Sequence, residues 1–193
     1  MSKIINGVNV TGLSRITDEV KADTTLAKFR FRVQNEWLEG GHNRSTLSEI
    51  YGAGQLHHHA TPFVIHADEP IVLLGNDQAP NPVEYLLAAL ASCVTSSLVY
   101  HAAARGIKIE EVESQVEGDI DVRGFLGLDP GVRNGFQNIR LSLAIHADVT
   151  DEQLKELAGL GTGFSPVFDS VTKGVPVAIR TERMKTEQAA DAA

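Results

Sequence analysis

Between Tyr85 and Ala104 the chain carries no Asp, Glu, Lys or Arg, and no other segment constrains the fold as much as this uncharged run. Its boundaries can be read from the flanking residues. Asn81 offers an N-cap oxygen, Pro82 suits the first helical position, and Glu84 stands where a capping-box acid reaches back to the cap N–H. Gly106 follows Arg105, the pair expected where a helix stops. The spacing predicts a helix from Pro82 to Arg105, about 36 Å long at about 1.5 Å per residue. That length would suit a bilayer span, but Ser92, Cys93, Thr95, Ser96, Ser97 and His101 stand in its middle and no second apolar span follows. A helix apolar on every side without crossing a membrane is packed centrally in a protein, or against a copy of itself.

Cys93 is the only cysteine and falls at the centre of this helix. A lone thiol cannot close a disulfide within its own chain, which leaves a core filler, a nucleophile, or a thiol whose partner is another molecule. One cysteine behind an N-terminus, MSKIINGVNVTG, with no apolar signal core points to the reducing cytoplasm. A net charge of -8 with scattered Lys and Arg argues against nucleic acid and anionic membranes as partners.

Strand patterns surround the helix. Lys28 to Leu38 alternates apolar and charged residues through Phe29, Phe31 and Val33; Ser45 to Tyr51 and Pro62 to Ala67 read as further strands. Val112 to Val122 and Phe136 to Ala147 read as a hairpin with a long glycine-rich loop. Thr150 and Gln153 form a capping box, Ser165-Pro166 opens a short helix, and Val175 to Arg180 reads as a closing strand. Near the start, Leu13, Ile16 and Val20 suggest an amphipathic helix ending by Ala22. This order predicts an α+β fold with antiparallel sheet. It predicts a single domain over residues 1–193, with a helical extension in 1–25 and a flexible tail in 184–193.

Asn-Pro-x-Glu-Tyr-Leu-Leu-Ala-Ala-Leu-Ala-Ser-Cys from Asn81 to Cys93, the hairpin after it, and Ser-Pro-Val-Phe-Asp-Ser-Val-Thr from Ser165 to Thr172 resemble the OsmC/Ohr family of thiol peroxidases. The resemblance implies antiparallel sheets around a long central helix in an intertwined homodimer. It implies that Cys93 attacks a hydroperoxide while an arginine from the N-terminal strands holds it as thiolate. Arg44, after Gly40-Gly41-His42-Asn43, is the candidate, with Arg30 and Arg32 as second choices. In the family's peroxidases a second cysteine before Pro-Val resolves the oxidised thiol, and a carboxylate follows Asn-Pro directly. This chain has Ser165 and Val83 at those places, so a catalytic cycle here requires an external thiol reductant. Glu84, nine residues from Cys93 and on the opposite helix face, reads as a cap. The alternative is an OsmC-like protein that binds a small ligand or serves another stress-related role without catalysis.

Other motifs carry less. His57-His58-His59 stands in a predicted loop without a Cys or carboxylate at ligand spacing, so no metal is expected, and nothing in the sequence calls for a cofactor. Gly159, Gly161 and Gly163 follow a helix, not a strand, which excludes a dinucleotide loop. His101 reads as a packed or interface histidine, and Trp37 and Phe63 either line an apolar pocket or belong to the core, the core being the preferred reading.

Overall fold

The computed structural model describes residues 2–184. The fold is α+β, with antiparallel sheets and one long helix. A two-stranded ladder, β1 (Ile4–Ile5) and β2 (Val8–Asn9), precedes α1 (Val10–Ala22). This ladder had no sequence signal beyond Asn6-Gly7, which turns it with positive φ at both residues. The Asn6 amide donates to Ile107 O at 3.0 Å and accepts from Ile109 N at 2.9 Å, tying the N-terminal extension to the chain just after the long helix.

The predicted strand Lys28–Leu38 is split into β3 (Arg30–Phe31) and β4 (Gln34–Glu39), both alongside β5 (His42–Gly52). On the other side of β5 lies β6 (Gln55–Ala67), which absorbs His57, His58 and His59. These histidines are strand residues, not loop residues; alternation turns His58 away from the other two, so they cannot converge on one ion. Among the described residues no group of three or more metal-ligating side chains occurs.

Residues directly opposite in an antiparallel ladder share a face. Asn35–Ser45–Ile65, Trp37–Asn43 and Leu47–Phe63 therefore lie on one face of this sheet, and Glu36–Arg44–His66 on the other. The first face is largely apolar and uncovered. Trp37 is 73% exposed and Phe63 60%, so neither is core within this chain.

The predicted central helix is α2 (Pro82–Ala104), with the capping box of Asn81 and Glu84 as expected. It is followed by β7 (Glu111–Asp119), a one-turn α3 (Val122–Phe125), β8 (Asn138–His146), α4 (Asp151–Gly163) and α5 (Pro166–Lys173). The core forms where α2 meets α4, α5 and β7. Val94, Leu98 and Ala102 of α2 are fully buried there, as is Leu157 of α4. The sheet of β3–β6 is not part of that core. Val175–Arg180 forms no strand; Val177 and Ile179 are 81% and 84% exposed, and Pro176 has no N–H to donate to a ladder. The predicted tail from 185 onward lies outside the described residues.

Candidate functional site

Helical periodicity divides α2 into a covered and an open side. Leu90, Val94 and Leu98 point into the core, whereas Leu86, Ala89, Ser92, Ser96 and Tyr100 are exposed. Cys93 belongs to the open side and is half-buried, a free thiol without a disulfide partner. The stripe around it consists of small and apolar residues with no charge.

Two turns before Cys93, Leu86 borders an apolar groove of about 740 Å³, lined with Val83, Phe136, Ile139, Val167 and Val171. Ser165, at the place of the family's second cysteine, is 2% exposed. Its Oγ accepts from Phe168 N at 3.1 Å, so it caps α5. The corner before it is pinned to α2: Ser97 Oγ donates to Phe164 O at 3.2 Å, and the Phe164 ring stacks on His101 with centroids 3.8 Å apart. Burial lowers the His101 pKa, and the neighbouring Arg105 guanidinium lowers it further. His101 is thus a packed histidine, as its sequence position suggested.

Arg44 is not brought to Cys93 within the chain. It pairs with Glu36 on the charged face of the sheet, and among the described residues no hydrogen bond joins it to the thiol. Arg32 pairs with Glu49, and with Arg30, Tyr51 and Leu56 these residues line a separate cleft. Glu84 is spent on the cap: Asn81 N donates to its Oε2 at 2.8 Å.

Two features escaped sequence reading. Asp68 is fully buried and accepts from the backbone N–H groups of Glu69, Asn76 and Gln78. Burial pushes its carboxyl up, but the N–H groups of Gln78, Glu69 and Asn76, with His42 beside them, outweigh this and hold it below the ordinary carboxylate value. On the apolar sheet face, Asn35 Nδ2 donates to Asn43 Oδ1 at 2.8 Å and to Ser45 Oγ at 2.9 Å. The alternation of Phe29, Phe31 and Val33 with Arg30 and Arg32 did announce a two-faced sheet. It could not announce which polar residues cluster on the apolar side.

A family model described as OsmC-like protein matches residues 75–180, more than half of the chain. The chain belongs to the OsmC-like family. The match takes in all of α2 with Cys93 and runs through the exposed segment Val175–Arg180. Among solved structures, an OsmC-like protein from Mycoplasma pneumoniae is similar with a TM-score of 0.56 at 18% identity, covering 74% of this chain and 87% of that one. A protein described as an osmotic stress induced and detoxification response protein, from Psychrobacter arcticus 273-4, has a TM-score of 0.52 at 17% identity, covering 72% and 85%. An OsmC-like protein from Vibrio cholerae has 0.50 at 14%, covering 73% and 92%. At these identities the structures support the fold alone. No curated protein matches the chain.

Proposed function

We propose that this OsmC-like protein is a cytoplasmic thiol-dependent reductase of hydroperoxides that works as a homodimer, with Cys93 as the nucleophile. The supporting observation is a half-buried thiol on the open side of α2, the helix whose Leu86, two turns earlier, borders a mainly apolar groove that suits the organic part of a hydroperoxide. The Cys93 thiolate attacks the terminal peroxide oxygen and the O–O bond breaks. Sulfur is oxidised to the sulfenic acid, and the departing alkoxide takes a proton and leaves as the alcohol. One external thiol condenses with the sulfenic acid, releasing water and leaving a mixed disulfide. A second thiol displaces the first as an external disulfide and restores Cys93.

Dimerisation is supported by what the chain leaves uncovered: one side of α2, one face of the β3–β6 sheet, and the extended apolar residues Val175, Val177 and Ile179. Arg44 enters this reading as the thiolate's cation only where a partner's charged sheet face turns toward α2. A second reading, binding without turnover, is favoured by Ser165 and by the lack of a hydrogen bond from Arg44 to Cys93 among the described residues, Arg44 pairing instead with Glu36.

Intact-mass measurement after graded cumene hydroperoxide, with and without a dithiol, tests the chemistry. Gain of one oxygen, or of the added thiol, at Cys93 and its reversal by dithiol are expected. A protein that stays unmodified in excess hydroperoxide overturns the enzyme reading and leaves ligand binding. A monomeric mass by light scattering overturns the dimer.

A further inference from the structure

The chemistry proposed at Cys93 gives Arg30 and Arg32 no task, yet the two line one cleft of about 340 Å³ with Glu49, Tyr51 and Leu56. Ladder register brings these residues together. Arg30 stands opposite Tyr51, and Tyr51 opposite Leu56, so the three form one row across β3, β5 and β6. In the next row Arg32 bridges to Glu49, which stands opposite His58. The cleft lies toward the hairpin end of the sheet: Glu49 is about 20 Å along β5 from Asn43, at about 3.3 Å per residue. Its volume falls within the range of small-molecule sites, about 300–1,000 Å³.

Charge decides what such a cleft takes. Two guanidiniums against the single Glu49 carboxylate leave one unit of positive charge, on a chain whose net charge is -8. Arg32 donates through Nη1 to Glu49 and keeps its other N–H groups. Among the described residues Arg30 forms no ion pair, so its whole fork is open to a carboxylate, which it matches with two parallel hydrogen bonds. The Tyr51 hydroxyl adds a further donor. Beside these groups Leu56 and the Tyr51 ring, 51% and 42% exposed, gain from being covered by an apolar body.

A dianion such as inorganic phosphate suits the cleft less well. It would bring its second charge against Glu49 and leave Leu56 and the Tyr51 ring unused. We propose that this cleft binds an organic monocarboxylate with a small apolar body, the carboxylate on Arg30 and Arg32 and the body on Tyr51 and Leu56. The site is separate from the hydroperoxide chemistry: every group in it comes from the sheet of one chain, and Cys93 is not among them.

Titration of the full chain with sodium benzoate, followed by amide NMR spectra, tests the site, and the same spectra report whether each variant is folded. Saturable shifts should gather on Arg30, Arg32, Glu49, Tyr51 and Leu56. Benzamide, the same ring without the charge, should bind at least about tenfold more weakly, and so should benzoate to Arg30→Gln, because each loses a charge-assisted pair. Arg30→Lys keeps the charge without the fork and should fall between wild type and Arg30→Gln. Cys93→Ser should bind benzoate as wild type does, which keeps this result independent of any hydroperoxide activity. Absence of saturable shifts in the wild type overturns the proposal. Benzamide or inorganic phosphate binding as tightly as benzoate overturns it too, as does a folded Arg30→Gln that binds like wild type or a site lost in Cys93→Ser.

Discussion

Gly161 is where α4 comes closest to the turn of α2 that follows Cys93, and exchanging it for alanine tests that packing directly. A Cβ built there would lie 3.0 Å from Val94 Cγ1, 3.0 Å from Val94 O and 3.4 Å from Leu98 Cβ. Gly159, two residues earlier in the same helix, has nothing within 4 Å of such a Cβ. Alanine in a helix interior is favoured over glycine by about 0.8–1.0 kcal/mol, so Gly159→Ala should stabilise by up to about that amount. At Gly161 the same gain meets an overpacking cost of about 1–3 kcal/mol, because the crowded oxygen belongs to the α2 backbone and cannot rotate aside. The net expectation for Gly161→Ala is a loss of about 1 kcal/mol, which separates the two variants by about 2 kcal/mol. Urea unfolding at one fixed protein concentration measures both, and the fixed concentration keeps any contribution from assembly the same for the two variants. If Gly161→Ala proves as stable as Gly159→Ala, the close approach of α4 to α2 described here is wrong.

Two further outcomes follow from particular side chains. Asn81→Ala removes the Oδ1 that accepts from Val83 N at 2.9 Å, and should cost about 0.5–2 kcal/mol in the same urea assay; no measurable loss would show that α2 does not depend on its cap. The His101 pKa is lowered in the folded protein, so the unfolded chain binds the proton more readily. Its contribution to stability is full above the ordinary value of 6.5 and declines as pH falls below it. His101→Phe, which keeps a ring against Phe164, should lose that part of the pH dependence, and an unchanged slope of stability against pH would refute the assignment.

The long helix could be read from the sequence because every signal for it is local: Asn81, Pro82 and Glu84 start it, Gly106 follows it, and the absence of charge between marks it as apolar. The same holds for α4, whose Thr150 and Gln153 form the capping box expected. The closing strand was misread because Val175, Val177 and Ile179 alternate as a strand does, yet a strand exists only with an edge beside it, and sequence does not reveal edges. Trp37 and Phe63 were misread for a related reason. Hydrophobicity says that a side chain prefers cover, not which molecule supplies it. Arg44 lies with Glu36 and His66, while Arg30 and Arg32 line a cleft with Glu49 and Tyr51; this separation follows from ladder register, which depends on turns rather than on any motif. Gly161 looked like part of a glycine pattern, and its role is the contact with Val94.

Asp68 determines how far the sheet can wander. The segment from Asp68 to Pro80 connects the sheet to α2, and fully extended it would reach about 40 Å. Instead Asp68 N donates to Pro80 O at 3.3 Å, and the Asp68 carboxylate gathers the intervening backbone onto itself. Tyr85 OH then donates to His66 O at 2.7 Å, a second tie from the first turns of α2 to the end of β6. A long tether is thereby shortened to almost nothing, and the sheet becomes an arm fixed at its shoulder. An arm held in one pose has already given up its orientational freedom, so in the homodimer proposed above this single carboxylate would lower the cost of joining two chains.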